Sequence, residues 1–248
     1  VIVLAAHGTR DPAGPLVIER LAELVRRSGV PVRVAYADVR EPDVTSVLRD
    51  VGDHCGPVVV VPAFLASGYH VRTDIPAQIA AARDLRWQDV LLAKAFGPAP
   101  ELVEVLLRRL RAAGHRENDA VVLAAAGSSD PRALSEVEFV AHALADRLRA
   151  PVRIGYAATA EPDIAGAVSA ARRAGGRVAV ASWLLAPGLF QRRVDAAGAD
   201  VVAGPLCAYS AGGGPDVLPG VAALVLRRYS AALAGSSWAR EPATSWVS

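Results

Sequence analysis

The sequence predicts an α/β protein built from two tandem repeats of one unit, each a parallel four-stranded sheet sandwiched by helices. Three observations carry this reading. Short apolar runs alternate with segments of helical spacing. The same blocks recur in the same order about one half-length apart. And 248 residues suit two domains of roughly 120 residues each, which lies in the usual domain range.

In the first half, apolar runs near residues 1–6, 32–37, 57–62 and 89–93 read as strands, rich in Val and Ala. The intervening stretches near 13–28, 43–53, 74–84 and 99–112 read as helices, with Leu and Arg alternating at helical spacing from Leu102 to Arg111. Pro12, Pro42, Pro76 and Pro100 are expected just inside helix starts, where a missing amide costs little. Strands alternating with helices imply a mainly parallel sheet covered on both faces.

The repeat is read directly from the chain. Val1 to Pro12 aligns with Ala120 to Pro131 at an offset of 119, and Val32 to Asp38 with Glu41-Pro42-Asp43 aligns with Val152 to Ala158 and Glu161-Pro162-Asp163 at 120. Phe64-Leu65-Ala66-Ser67-Gly68 answers Leu184-Leu185-Ala186-Pro187-Gly188, and Leu107 to Leu110 answers Leu226 to Tyr229. The first unit is placed at residues 1–116, the second at 117–234, and residues 235–248 form a tail without periodicity. An extra loop from Leu206 to Asp216 carries Gly212-Gly213-Gly214.

Composition narrows the function. A formal net charge of +2 offers no basic patch for nucleic acid. The longest apolar runs, such as Val58 to Leu65, fall well below the ~20 residues of a membrane span. The apolar opening Val1 to Ala6 is too short, and lacks the basic residues, to read as a leader. Cys55 and Cys207 lie far apart, outside any C-x-x-C pattern, and read as free thiols in a reducing cytosol. A cytoplasmic protein with no membrane or nucleic-acid partner is expected. No Walker loop is present and no G-x-G-x-x-G follows a strand.

Ligands of open parallel sheets bind beyond the carboxyl ends of the strands, where strand order reverses. With the common order 2-1-3-4, His7 follows the first strand, Asp38 ends the second and His70 follows the third. The repeat then acts as an internal control: His7 corresponds to Ala126, Asp38 to Ala158 and His70 to Phe190. Around them the frame persists, with Gly8 and Gly127, Asp11 and Asp130, Glu41 and Glu161, Gly68 and Gly188. Three ionisable side chains vanish together while their scaffold stays, which marks one active site, in the first unit.

Two imidazoles and a carboxylate suit a borderline divalent ion and leave coordination positions open for a substrate. They equally suit proton abstraction near neutral pH. Asp38 reads either as a functional carboxylate or as a cap on a loop amide. Arg10-Asp11-Pro12 reads as a seat for an anionic substrate or as the approach to a helix, with Asp11 at its amino-terminal dipole. Gly68 is expected to need a tight or positive-φ backbone, and Asp74 with Pro76 reads as a helix start. Glu41-Pro42 is structural, because the second unit keeps it. His54, His115 and His142 read as ordinary helix or linker residues.

Ala6-His7-Gly8-Thr9-Arg10, Glu41-Pro42, and Phe64 to His70 with Asp74-Ile75-Pro76 resemble the sirohydrochlorin cobaltochelatase and ferrochelatase family, in its long form that fuses two half-sized units. The resemblance covers about residues 1–234 and rests on F-L-x-x-G-x-H-x-x-x-D-I-P together with the repeat. It implies a chelatase-like fold with the active site in a cleft between the halves. It further implies ATP-independent insertion of Fe2+ or Co2+ into a sirohydrochlorin-type tetrapyrrole, on the way to sirohaem or cobalamin. The metal is then a substrate, no cofactor is permanently bound, and a monomer is sufficient. His7 and His70 fall on the family's metal-site histidines, and Asp38 where the family often has glutamate. Catalytic roles are expected for His7, His70 and Asp38, and substrate contacts for Arg10, Gly68 and Tyr69. A histidine phosphatase would need arginine directly before the histidine, where Ala6 stands. A metal or tetrapyrrole carrier without turnover is the rival from another class.

Overall fold

The computed structural model describes residues 1–51, 56–82, 90–208 and 218–236. The first half contains β1 (Ile2–Ala6), α1 (Ala13–Arg26), β2 (Val32–Tyr36), α2 (Val44–Val51), β3 (Val58–Pro62), a π-helical turn (His70–Asp74) running into α3 (Ile75–Ala82), β4 (Val90–Leu92) and α4 (Pro100–Ala112). The second half contains β5 (Ala120–Ala125), α5 (Pro131–Leu148), β6 (Val152–Tyr156), α6 (Ile164–Arg173), β7 (Val178–Trp183), α7 (Leu189–Asp195), β8 (Val201–Val202) and α8 (Leu218–Ala234). Two four-stranded sheets result, ordered β2-β1-β3-β4 and β6-β5-β7-β8. All their pairings are parallel.

Alternation along the central strands assigns each face. Ile2, Leu4 and Ala6 of β1 enter a large central core, while Val3 and Ala5 enter an outer core with α2 and α3 residues. In β5, Val121, Leu123 and Ala125 face the same central core, and Val122 and Ala124 face α6 and Val194. Strands buried on both faces explain why the sequence reads there as unbroken apolar runs.

The central core belongs to both halves at once. The last helix of each half packs on the other half's sheet: α4 lies against β7 and α5, and α8 against β3, β4 and α1. The packing units therefore do not follow the repeat in the chain. Buried Arg109 of α4 fixes the exchange by donating to the Leu206 carbonyl at 3.2 Å and to the Ala208 carbonyl. Arg228 of α8 answers it, donating to the Phe96 carbonyl at 3.0 Å, and Arg227 pairs with Glu101 of α4.

Several local expectations are corrected. Pro100 starts α4, Pro76 is the second residue of α3, and Pro12 caps α1. Pro42 does not enter a helix: it follows a cis peptide, and its carbonyl accepts from the Tyr36 amide at 2.9 Å, two residues before α2 begins. The start of the extra loop is core, with Leu206 and Cys207 buried and hydrogen-bonded to the Leu184 and Leu185 carbonyls. The buried free thiol of Cys207 is pushed up to about 12 by desolvation. Cys55, His54, the Gly212-Gly213-Gly214 stretch and residues 237–248 lie outside the described residues. No described helix is long and apolar enough to cross a membrane.

Replacing Arg109 with methionine keeps much of its apolar stem but strips the buried Leu206 carbonyl and the partly buried Ala208 carbonyl of a donor. A loss of about 2 to 4 kcal/mol is expected in urea unfolding. A loss below about 0.5 kcal/mol, within the range of an ordinary surface change, would contradict the bridging role.

Candidate metal centre

His7 emerges where β1 ends. Its backbone stays zipped to the end of β2, because the Asp38 amide donates to the His7 carbonyl at 3.1 Å. Gly8 then turns at φ +94°, and any Cβ there would collide with the Asp38 carbonyl oxygen. Only glycine tolerates both the angle and the approach. The next residues reinforce the contact: Val39 has φ 67°, and Arg40 donates to the Thr9 carbonyl at 3.2 Å.

From the third strand, His70 arrives as the first residue of the π-helical turn. The rings of His7 and His70 meet edge-on with centroids 4.4 Å apart, and Phe64 lies 6.0 and 6.1 Å from them. Ligand atoms of His7, Asp38 and His70 all come within 4.8 Å of one another. Three side chains separated by up to 63 positions in the chain thus converge on a space the size of one ion.

Hydrogen bonds set the imidazole tautomers. His7 Nδ1 lies 3.1 Å from the Gly8 carbonyl, which can only accept, so Nδ1 carries the proton and Nε2 is free to ligate. His70 Nδ1 lies 2.6 Å from Asp74 Oδ2, which again leaves Nε2 free. The His7 pKa is lowered by burial and by the neighbouring His70, against smaller opposing effects of the Gly8 carbonyl, Asp38 and Asp74. His7 is nonetheless exposed to solvent. A depressed pKa keeps the ring neutral, and so able to bind metal, at neutral pH. Asp38 caps a loop amide, its Oδ1 accepting from the Val39 amide at 2.7 Å, and its carboxylate lies within reach of the imidazoles.

The loops beyond the strands of one half meet those of the other. Glu136 of α5 accepts from the Ser67 amide at 2.6 Å, and Arg192 of α7 pairs with Asp11 at 2.5 Å. The histidine pair therefore opens at the seam between halves. Tyr69, 65% exposed, sits there with its ring centroid 6.1 Å from that of His70. Arg10 is exposed, with no hydrogen-bond or ion-pair partner among the described residues. Asp11 behaves as a helix-start residue, accepting from the Ala13 amide at 3.0 Å. Gly68 departs from expectation: its φ lies outside the left-handed region, and a Cβ would meet only Ser128 Oγ at 3.7 Å and Ala133 Cβ at 4.0 Å. Asp74 does not cap α3; its carboxylate turns back to His70. Composition and repeats missed Glu136 and Arg192, whose partners lie 69 and 181 residues away.

In the second half the same backbone carries no such cluster among the described residues. Gly127 has φ +90° and presses on the Ala158 carbonyl, and Thr159 has φ 66°. Yet Ala126, Ala158 and Phe190 stand at the three strand ends, and the Arg193 guanidinium lies 5.8 Å from the Phe190 ring centroid while bonding the Ala157 carbonyl. Glu41 and Glu161 play one structural part, accepting from the Asp43 and Asp163 amides at 2.9 and 3.0 Å.

The CbiX family model matches this chain twice, over residues 1–113 and 120–202. The chain belongs to the CbiX family. Among curated relatives, a sirohydrochlorin cobaltochelatase of Methanopyrus kandleri is 27% identical over 138 residues, covering 45% of this chain and 95% of that protein. The chloroplastic sirohydrochlorin ferrochelatase of Arabidopsis thaliana is 31% identical over 124 residues, covering 48% of this chain and 55% of that protein. The fold matches SirB from Bacillus subtilis with Fe3+ at a TM-score of 0.76 and 21% identity, over 92% of this chain and 93% of that one. SirB from B. subtilis subspecies spizizenii in complex with cobalt matches at 0.74, also with 21% identity, over 94% and 95%. The Methanopyrus match thus spans nearly all of a CbiX relative on less than half of this chain, whereas the SirB fold spans both halves.

The depressed His7 pKa gives a checkable sign. The folded state binds that proton less readily than the unfolded chain, so His7 subtracts stability as pH falls through the ordinary histidine range. Removing His70 lessens both burial and repulsion. In a pH titration followed by NMR, His70→Ala is expected to raise the His7 midpoint, and an unchanged or lower midpoint would contradict this account of the site.

Proposed function

We propose that the chain is a sirohydrochlorin chelatase, inserting Fe2+ or Co2+ into a sirohydrochlorin-type tetrapyrrole without ATP. The observation that carries this is the convergence of His7, Asp38 and His70 within ligand distance at one sheet edge, while the duplicate frame lacks all three. Membership of the CbiX family and the names of its relatives support the choice of substrate.

In this reading the macrocycle enters the seam between the halves, its carboxylates directed to Arg10 and loop amides, beside Tyr69 and Gly68. The metal arrives on the Nε2 atoms of His7 and His70 with an oxygen of Asp38. Two imidazoles and one carboxylate leave positions open for pyrrole nitrogens, and hold the ion loosely enough to release it. As metal–nitrogen bonds form, the two pyrrole N–H groups lose their protons. An imidazole cannot hold metal and proton on the same nitrogen, so Asp38 takes the first proton and a histidine freed of metal takes the second. The ion's two charges replace the two protons, so the macrocycle's net charge is unchanged. One chain supplies both sides of the seam, which makes a monomer sufficient. A cytoplasmic setting agrees with the free thiol of Cys207.

Anaerobic absorbance of sirohydrochlorin with Co2+ or Fe2+ tests this. The unaltered protein is expected to give many turnovers, and His7→Ala and His70→Ala to lose about 100-fold or more, as for loss of a proton-transfer group. No acceleration over the uncatalysed reaction would overturn it. Stoichiometric uptake without turnover would favour a metal or tetrapyrrole carrier.

A further inference from the structure

The π-helical turn is a stretch where the two halves differ in backbone. In the first half, seven positions separate Gly68 from Ile75, the first fully buried residue of the outer helix. In the second, six separate Gly188 from Val194, which is buried in the equivalent outer core. The first half absorbs its additional residue by widening one turn, so that the Ile75 amide reaches back to the His70 carbonyl. The second half runs straight into α7. Single widened turns of this kind concentrate at functional sites.

Four residues apart on this helical run, His70 and Asp74 lie one above the other, with Nδ1 and Oδ2 2.6 Å apart. Neither way of aligning the second half keeps a carboxylate there: direct offset places Val194 opposite Asp74, and alignment on the buried residue places Arg193. The carboxylate, the histidine and the widened turn are absent together. Within the site itself His7 is held differently, by the weaker acceptor of the Gly8 carbonyl. No described residue besides His70 hydrogen-bonds the Asp74 side chain, and no helix amide occupies it.

We infer that Asp74 is a positioning residue for His70: through the π-helical turn it fixes the proton on Nδ1, aims Nε2 at the space shared with His7 and Asp38, and strengthens His70 as a ligand. An ionised carboxylate offers acceptors only, so it selects one of the two neutral tautomers. Such partners of ligating histidines raise ligand basicity, and their loss weakens metal binding about 10- to 100-fold. The inference concerns metal held as substrate and rests on the proposed metal site, but not on tetrapyrrole turnover.

Two readouts test it in the full chain. Long-range 15N NMR of the metal-free protein at about pH 8, above the ordinary histidine range, reports the His70 tautomer. Calorimetric titration with Co2+ reports affinity. Asp74→Ala is expected to turn a single Nδ1–H tautomer into a mixture and to weaken Co2+ binding about 10- to 100-fold. Asp74→Asn retains an acceptor of the same shape and is expected to keep the tautomer while losing part of the affinity. It also serves if the alanine variant fails to fold. A tautomer and an affinity unchanged in a folded Asp74→Ala would overturn the assignment, as would undiminished affinity in Asp74→Asn. If the unaltered protein binds no Co2+, the metal site itself fails. A tautomer in the unaltered protein other than Nδ1–H would overturn the positioning role alone.

Discussion

Gly8 passes so close to the Asp38 carbonyl that no side chain fits between them, and this crossing governs the site. It ties the segment after β1 to the segment after β2 at a fixed separation. His7 and Asp38, which flank the crossing, are thereby presented on one side of the sheet edge without help from a ligand. The positive φ of Val39, unfavourable for a branched side chain, is the strain this arrangement retains. Gly127 and Thr159 repeat the same geometry around Ala126 and Ala158. The crossing is therefore a property of the fold, and the chemistry is what the first half places on it.

The duplicated frame separates scaffold from function within one molecule. Residues that keep their part in both halves, such as Glu41 and Glu161, make equivalent backbone contacts. The ionisable residues lost, His7, Asp38 and His70, lie beyond the strand ends. The second half is not idle: Glu136 anchors the Ser67 amide just before His70, and Arg192 holds Asp11 beside the His7 loop. The second half thus braces the half that carries the histidine pair. The exchange of α4 and α8 makes this bracing firm, because neither sheet buries its inner face without a helix from the other half.

Much of this was legible in the sequence. Strand positions follow from apolar runs because both sheets are buried on both faces, and the sheet order is the one common to such parallel sheets. His7, Asp38 and His70 stood out because the repeat supplied a comparison for each. The helix exchange was not legible: α4 and α8 carry the same amphipathic pattern whichever sheet they cover. The expectation of a tight or positive-φ backbone at Gly68 fails, since a glycine in a loop gives no sign of its angle or its neighbours. Asp74 was read as a helix start because Asp before Pro usually is one. Its position four residues after His70, with no carboxylate at the matching place in the second half, was the signal that pointed elsewhere. Contacts across 69 or 181 residues, such as those of Glu136 and Arg192, leave no local trace at all.

The central claim is that one half holds metal and the other only its frame. Crystals soaked in Co2+ and measured at the cobalt absorption edge test it most directly. The account predicts a single anomalous peak per chain, within bonding distance of Nε2 of both His7 and His70, and none at Ala126 and Phe190. A peak in the second half, or cobalt bound away from both imidazoles, would contradict it.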